Sequence, residues 1–248
     1  MDILKSIIVW IIGLCYLCVL FPLTFIIWLL VLPLDRQRTL THWLLVYQSL
    51  ILSKLIPIWK IEIEGREKAV RGTTCVIIAN HQSILDILLI NCLRYRFKWV
   101  SKIENISVPV LGWYLRMAGY ITVDRGNEES KAEMLEKSYQ CLKRETSIMM
   151  FPEGTRSIDS EIGFFKRGAF QLAIQADVPI LPVIIEGTAG ILPKHGLKFG
   201  SGYNVTIKVL DPVHPTAFGT DNPDVLAGKL KSRMKSELSR LREGTGSK

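Results

Sequence analysis

No charged residue occurs between Ser6 and Leu34. That gap excludes an ordinary water-facing N-terminus, because the run SIIVWIIGLCYLCVLFPLTFIIWLLVLPL exceeds the roughly 20 apolar residues that cross a bilayer. A cleaved signal peptide does not fit either, since its apolar region is about 7–15 residues long and ends at a small-residue cleavage site. Cysteine is sparse, five in 248 residues. Cys15 and Cys18 have metal-ligand spacing, but no second cysteine or histidine pair completes a site, so they read as small apolar residues of a reducing compartment. No zinc-finger, RNA-recognition or helix-turn-helix pattern accompanies the net charge of +8, and no nucleic-acid partner is expected. No G-x-S-x-G is present, which disfavours an acyl-serine hydrolase. Internal repeats, low-complexity tracts and long linkers are missing too, so one catalytic domain plus an accessory segment is expected.

What is present begins with a membrane-anchoring segment, residues 1–58. The apolar run is followed by TLTHWLLVYQSLILSKLIPIW (39–59), whose Gln48, Lys54 and aromatic residues suit an amphipathic helix at the interface, with His42 at headgroup level. Arg36, Arg38, Lys54 and Lys60 follow the run, whereas Lys5 alone precedes it, so the chain beyond it is expected on the cytoplasmic face. At the other end, residues 229–248 carry seven basic and two acidic residues. Leu226, Leu230, Met234, Leu238 and Leu241 recur there at helical spacing; the helix suits either an anionic membrane surface or a leucine stripe packed on the domain.

From residue 59 onward, short apolar runs alternate with helical stretches. Strands are expected at 60–65, 74–80, 97–102, 119–125, 147–154, 179–187 and 204–212, and helices near 83–94, 108–117, 127–145 and 167–176. That alternation predicts an α/β domain, a mostly parallel central sheet flanked by helices and preceded by the N-terminal membrane-binding helical pair. Ligands in such sheets sit beyond the C-terminal strand ends. There TCVIIAN runs into His81, GYITV into Asp124 and Arg125, and SIMMF into PEGTR.

The spacing of His81 and Asp86 restricts how they can meet. On one unbroken helix an offset of five residues would set them about 140° apart. A helix starting near Ser83 instead leaves His81 in the preceding turn, within reach of Asp86. Ser83 with Asp86 matches a capping box, and Asp86 is expected to point to His81 while Ser83 caps the helix. A carboxylate so placed fixes the imidazole tautomer for a general base. With no serine nucleophile available, that base would act on a substrate hydroxyl. Arg125 and Arg156 offer planar forks for a phosphate, Lys102 a third positive charge. The turn with Glu153 and Gly154 presents either a carboxylate and amides to the substrate or only a bend, and Lys166 and Arg167 beside Gly168 favour anions. His195 and His214 read as surface residues.

NHQSILD (80–86), ITVDRGN (121–127), FPEGTRS (151–157) and VPILPVII (178–185) stand in the order and approximate spacing of the four motif blocks of glycerolipid acyltransferases. The chain resembles that family over roughly residues 60–215, and within it the branch acting on lysophosphatidic acid. The resemblance implies transfer of an acyl group from a thioester donor, acyl-CoA or acyl carrier protein, to the sn-2 hydroxyl of 1-acyl-sn-glycerol-3-phosphate. It implies His81 as base, Asp86 as its partner, and Arg125, Glu153, Gly154 and Arg156 on the acceptor phosphate. Pro179 and Pro182 belong to the block associated with the acyl-donor site. Gln82, where glycerol-3-phosphate acyltransferases usually carry arginine, favours a lysophospholipid acceptor. No metal or resident cofactor is implied. Acylation of another lysophospholipid, or a non-catalytic lipid-binding protein, are the alternatives.

Overall fold

The computed structural model describes residues 3–56, 59–69, 72–200 and 203–245; Ile58 and Lys248, included in the expected anchor and basic helix, lie outside them. Two helices open the chain, α1 (Ile3–Val31) and α2 (Thr39–Leu55). The domain follows as β1 (Trp59–Glu64), β2 (Val76–Ala79), α3 (Leu85–Ile90), β3 (Phe97–Lys102), α4 (Leu111–Met117), β4 (Ile121–Val123), α5 (Glu128–Lys143) and β5 (Ser147–Met150). It closes with α6 (Gly168–Ala176), β6 (Ile180–Glu186), α7 (Thr188–Ile191), β7 (Tyr203–Val209) and α8 (Pro223–Thr245). Each expected strand is found within a few residues of its expected limits.

The seven strands form one sheet in the order β1-β7-β6-β2-β5-β3-β4. Every neighbouring pair is parallel except β6 with β7. The mostly parallel sheet read from the sequence is therefore the observed one. Alternate residues of each strand feed opposite layers, as the two-residue period of a strand requires. Ile77 and Ala79 face a core with Phe97, Trp99, Met149 and Val183, on the side where α3 packs against α2. Val76 and Ile78 face the other core, with Phe170 and Leu172 of α6 and with α8.

The leucine stripe of α8 settles against the sheet: Leu226, Leu230 and Met234 are fully buried and Leu238 nearly so. Removing those four side chains from water contributes about 6–12 kcal/mol before entropic costs. The packed-stripe reading thus holds, and a bilayer is not what the apolar face of α8 meets.

His42 is a correction. Far from sitting at headgroup level it is 1% exposed, at the seam of α2 and the sheet. Its Nε2 lies 2.9 Å from the Tyr95 carbonyl, an acceptor, so Nε2 carries the proton and Nδ1 accepts from the Tyr120 hydroxyl at 3.0 Å. Burial pushes its pKa down to about 4, and the ring is neutral at neutral pH. A histidine among Trp43, Tyr47 and leucines reads as interfacial in one dimension; only the partners brought by β3 and β4 show otherwise.

Helix α1 lies along the domain rather than projecting from it. Near its start, Ser6 Oγ accepts from Phe199 N at 2.9 Å and Trp10 stacks edge-on to Phe199 at 5.3 Å. Tyr16 donates to the Gln48 carbonyl of α2 at 2.6 Å. Towards its end, Phe21 meets Tyr114 and Phe25 meets Trp113 of α4, at 5.6 and 5.7 Å. The opposite face stays bare, with Leu4, Leu14, Val19 and Leu30 all more than 60% exposed.

Candidate active site

Strands β2, β3, β4, β5 and β6 run the same way, so their C-terminal ends share one edge of the sheet. Asn80, one residue past β2, clamps that edge: its Nδ2 donates to the Ile185 carbonyl and its Oδ1 accepts from Ile185 N, both at 2.8 Å. Past this clamp the chain turns out of the sheet and His81 enters a loop. Helix α3 then starts at Leu85, two residues beyond the expected Ser83, and the geometric requirement is met with His81 outside the helix.

His81 Nδ1 lies 2.8 Å from Asp86 Oδ2. A carboxylate in that position accepts, so the proton sits on Nδ1 and Nε2 is left as an acceptor, with no protein partner among the described residues. Asp86 is fully buried, yet it does not reserve itself for the ring. The same Oδ2 accepts from Gln82 N at 2.7 Å and Ser83 N at 2.9 Å, while Oδ1 accepts from the Thr188 hydroxyl at 2.6 Å. Ser83 turns its hydroxyl mainly to the Leu192 carbonyl at 2.6 Å and accepts from Leu85 N at 3.3 Å. The expected division, ring to Asp86 and cap to Ser83, therefore gives way to a carboxylate serving both. The loop from His81 to Asp86 is short enough to curl around one oxygen and bring three N–H donors to it.

The third block grips His81 from the other side. Phe151 stacks on its ring at 3.9 Å with 8° between planes. Glu153 Oε1 accepts from His81 N at 2.9 Å, its Oε2 accepts from Gly163 N at 2.9 Å, and Ser157 N donates to the His81 carbonyl at 2.7 Å. Burial pushes the Glu153 carboxyl above its usual range, against the pull of those two amides. Glu153 is consequently a buried strut rather than a phosphate ligand, a correction with a simple cause: both carboxylate oxygens are spent on backbone, away from the cavity. Gly154 does line the cavity, but its N–H is committed to the Phe151 carbonyl at 3.0 Å. Its φ of +70° and the approach of Lys166, 3.0 Å from where a Cβ would stand, explain the glycine.

A cavity of about 970 Å³ opens against His81 and Phe151. One part of its wall is cationic: Lys102, Arg125, Lys131, Arg156, Lys166, Arg167 and Lys194 line it, with Glu128 the sole acid among the described lining residues. Lys102 and Lys131 are paired, to Glu104 at 2.5 Å and Glu128 at 2.6 Å. Arg125 donates to the Gly154 carbonyl, while the Arg156 guanidinium has no partner among the described residues. Burial, then the charges of Arg125 and Lys131, hold the Lys166 ammonium below its usual range. Such mutual repulsion is relieved by an anion. Another part of the wall is apolar, built from Leu17 of α1, Leu45 and Leu52 of α2, Ile87 of α3 and Leu111 of α4. The cavity can therefore seat an anionic head and a hydrocarbon tail beside an imidazole poised to accept a proton.

Of the residues expected at the site, His81, Arg125, Gly154, Arg156 and Lys102 line this cavity, and Asp86 stands directly behind His81. Gln82 does not line it. Its side-chain amide donates to Glu186 Oε2 at 3.0 Å and the Ser160 carbonyl at 3.2 Å, where Arg242 of α8 also binds, so its bearing on acceptor choice is not a direct contact. His195 is exposed, and His214 pairs with Asp177 at 3.5 Å on the surface. Sequence reasoning missed Thr188 and the clamp of Asn80. Asn80 stood in plain view beside His81, at a strand end, whereas Thr188 is 102 residues from Asp86 and carries no local signal.

Comparison with known proteins agrees with this geometry. A sequence model described as Acyltransferase matches residues 60–186. The chloroplastic 1-acyl-sn-glycerol-3-phosphate acyltransferase of Arabidopsis thaliana is 33% identical over 74% of this chain, which spans about half, 51%, of that relative's length. A probable 1-acyl-sn-glycerol-3-phosphate acyltransferase of Mycoplasma genitalium is 32% identical over 72% of this chain and 73% of its own. The crystal structure of the 1-acyl-sn-glycerophosphate acyltransferase PlsC from Thermotoga maritima superposes with a TM-score of 0.78 at 24% identity, covering 100% of this chain and 97% of that one, and shows the shared fold. Because the matched segment holds all four motif blocks, sequence and site point the same way: this chain belongs to the acyltransferase family.

Proposed function

We propose that the protein acylates the sn-2 hydroxyl of 1-acyl-sn-glycerol-3-phosphate, using a thioester donor and forming phosphatidic acid. The observation that carries this reading is one cavity in which His81, held by Asp86 at 2.8 Å, lies between a cationic and an apolar wall. Arg125 and Arg156, with Lys166 nearby, hold the phosphate; the acyl tail lies on the side of α1, α2 and α4. Nε2 of His81 takes the proton of the hydroxyl as its oxygen attacks the thioester carbonyl carbon. The tetrahedral intermediate collapses with loss of the thiolate, which receives that proton from the imidazolium. Asp86 stabilises the imidazolium and keeps the ring in its tautomer. Stacking on Phe151 keeps the ring from rotating away.

The membrane is where such an acceptor resides, and α1 supplies the attachment. A 29-residue helix is about 43 Å long, enough to cross a bilayer. Tied to the domain at both ends, however, it cannot carry those ends to opposite sides while the domain stays in water, so α1 lies in the interface with its bare face in lipid. Free cysteines and the basic residues after α1 support a cytoplasmic placement.

The test is a panel of acceptors with labelled acyl-CoA or acyl carrier protein and purified protein in vesicles. Transfer is expected to be fastest to lysophosphatidate. Negligible transfer to it alongside rapid transfer to lysophosphatidylethanolamine would overturn the proposed acceptor.

A further inference from the structure

Between α7 and β7 the chain makes an excursion, LPKHGLKFG (192–200), that belongs to no motif block. A turn closes it, with Gly196 N donating to the Pro193 carbonyl at 2.9 Å and His195 at a φ of +66°. Its inner side is anchored on α1. Phe199 is 7% exposed and lies edge-on to Trp10, its N–H donates to Ser6 Oγ, and Trp10 Nε1 donates to the Leu197 carbonyl at 2.9 Å. The outer side is the reverse of what a water-facing tip requires: Leu197 is 74% exposed, beside Ile3 at 63% and Ile7 at 47%. Leu197, Ile3, Ile7 and Trp10 line one shallow hollow of about 540 Å³, with Lys198 also in its wall.

We infer that this loop is a second membrane-contacting element, inserting Leu197 beside the first turns of α1 and presenting Lys198 to the phosphates of anionic lipids. Three observations carry it. The apolar surface of the loop is continuous with the exposed Ile3 and Ile7 of α1, so whatever solvates one must solvate the other. Residues 192–200 hold no acid, and Lys198, exposed beside Leu197, matches an anionic surface. The loop is fastened rather than free, and so presents a fixed shape. The assignment rests on the reading of α1 as an interfacial helix.

The contact bears on the reaction cavity. Lys194, in the same loop, donates to the Arg156 carbonyl at 2.8 Å and to Thr155 Oγ1 at 3.1 Å. The turn carrying a proposed phosphate ligand is thus braced by a loop that the bilayer holds in place.

Site-specific labelling tests this in the full chain. With Cys15→Ser and Cys18→Ser as background, a bimane on Leu197→Cys is compared with one on Lys137→Cys, exposed on α5 across the sheet, and one on Leu4→Cys in α1. On vesicles of phosphatidylcholine with phosphatidylglycerol, labels at 4 and 197 are expected to shift to the blue and be quenched by nitroxide lipid, and the label at 137 to remain aqueous. Quenching at 4 without quenching at 197 overturns the loop proposal alone; quenching at neither overturns the reading of α1 as well. A response at 197 that grows with protein concentration in the absence of lipid assigns the surface to a second copy of the chain and likewise overturns it. Lys198→Glu is expected to remove the added quenching at 197 that phosphatidylglycerol confers, and an unchanged response would refute the headgroup contact.

Discussion

The two parts of the cavity wall are built on different principles. Around His81 hydrogen bonds converge on everything except the free Nε2: one oxygen of Asp86 accepts three of them, and Glu153 braces backbone amides from two separate loops, His81 N and Gly163 N. Around the apolar part, walls come from the surfaces of whole helices, α1, α2 and α4, which meet through ring contacts and a few buried polar pins. Proton transfer needs an imidazole fixed to a fraction of an ångström, which converging hydrogen bonds supply. A hydrocarbon tail needs only shape and the exclusion of water, which side-chain packing supplies.

Four changes would break or sharpen that contrast. The largest effect is expected at His81→Ala: loss of about 10³-fold or more in kcat with vesicle binding retained, since a positioned base contributes about 10²–10⁴-fold and its removal also unseats the Asp86 network. Unchanged acyl transfer would refute His81 as the base. On the apolar side the expected response is to pH. His42 has its folded pKa depressed to about 4, below its value of 6.5 in the unfolded chain, so the unfolded state binds the extra proton first as the solution is acidified. Its contribution is fully present above pH 6.5 and falls by up to about 3 kcal/mol as pH drops through 4. Thermal melts should therefore show a loss of stability in that window that His42→Gln removes; equal pH dependence in both proteins would contradict the assignment.

Smaller still is Arg156→Ala, which deletes a charge-assisted donor worth about 1.5–3 kcal/mol and should lower kcat/KM for lysophosphatidate about 10–100-fold. With monoacylglycerol, which has no phosphate, the variant and the parent should perform alike; a parallel fall would mean that Arg156 shapes the fold instead. Last comes Thr188→Val, which keeps the shape and leaves Asp86 Oδ1 without its donor. It is expected to reduce kcat about tenfold with KM unchanged, while Thr188→Ser stays within a few-fold of the parent, because an unpaired buried acceptor costs roughly 1–3 kcal/mol. Equal losses in both variants would make Thr188 a packing residue.

How far this could be read in advance depended on the range of the interaction. The strands were legible because each is a run of apolar residues bounded by turns, a pattern contained in less than ten positions. That His81 meets Asp86 was legible for the same reason: five residues and the pitch of a helix limit the geometry to one arrangement. Glu153 was misread because its partners, His81 N and Gly163 N, come from two other loops, and a carboxylate in a glycine turn looks alike whether it faces substrate or backbone. The leucine stripe of α8 fits a bilayer and a sheet equally well as a pattern, and only the vacancy it fills on α6 and β6 distinguishes them.

By itself, then, the sequence determined the alternation that makes a parallel sheet, the edge at which the polar chemistry gathers, and the histidine–aspartate pair, all consequences of local period and chain direction. The tertiary structure alone decided which oxygen of Asp86 serves which donor, that Thr188 completes its shell, that His42 is buried and neutral, and that α1 is fastened along the domain. The contacts of Thr188, His42 and Ser6 join groups between 53 and 193 residues apart in the chain but about 3 Å apart in space, and no one-dimensional period encodes such distances.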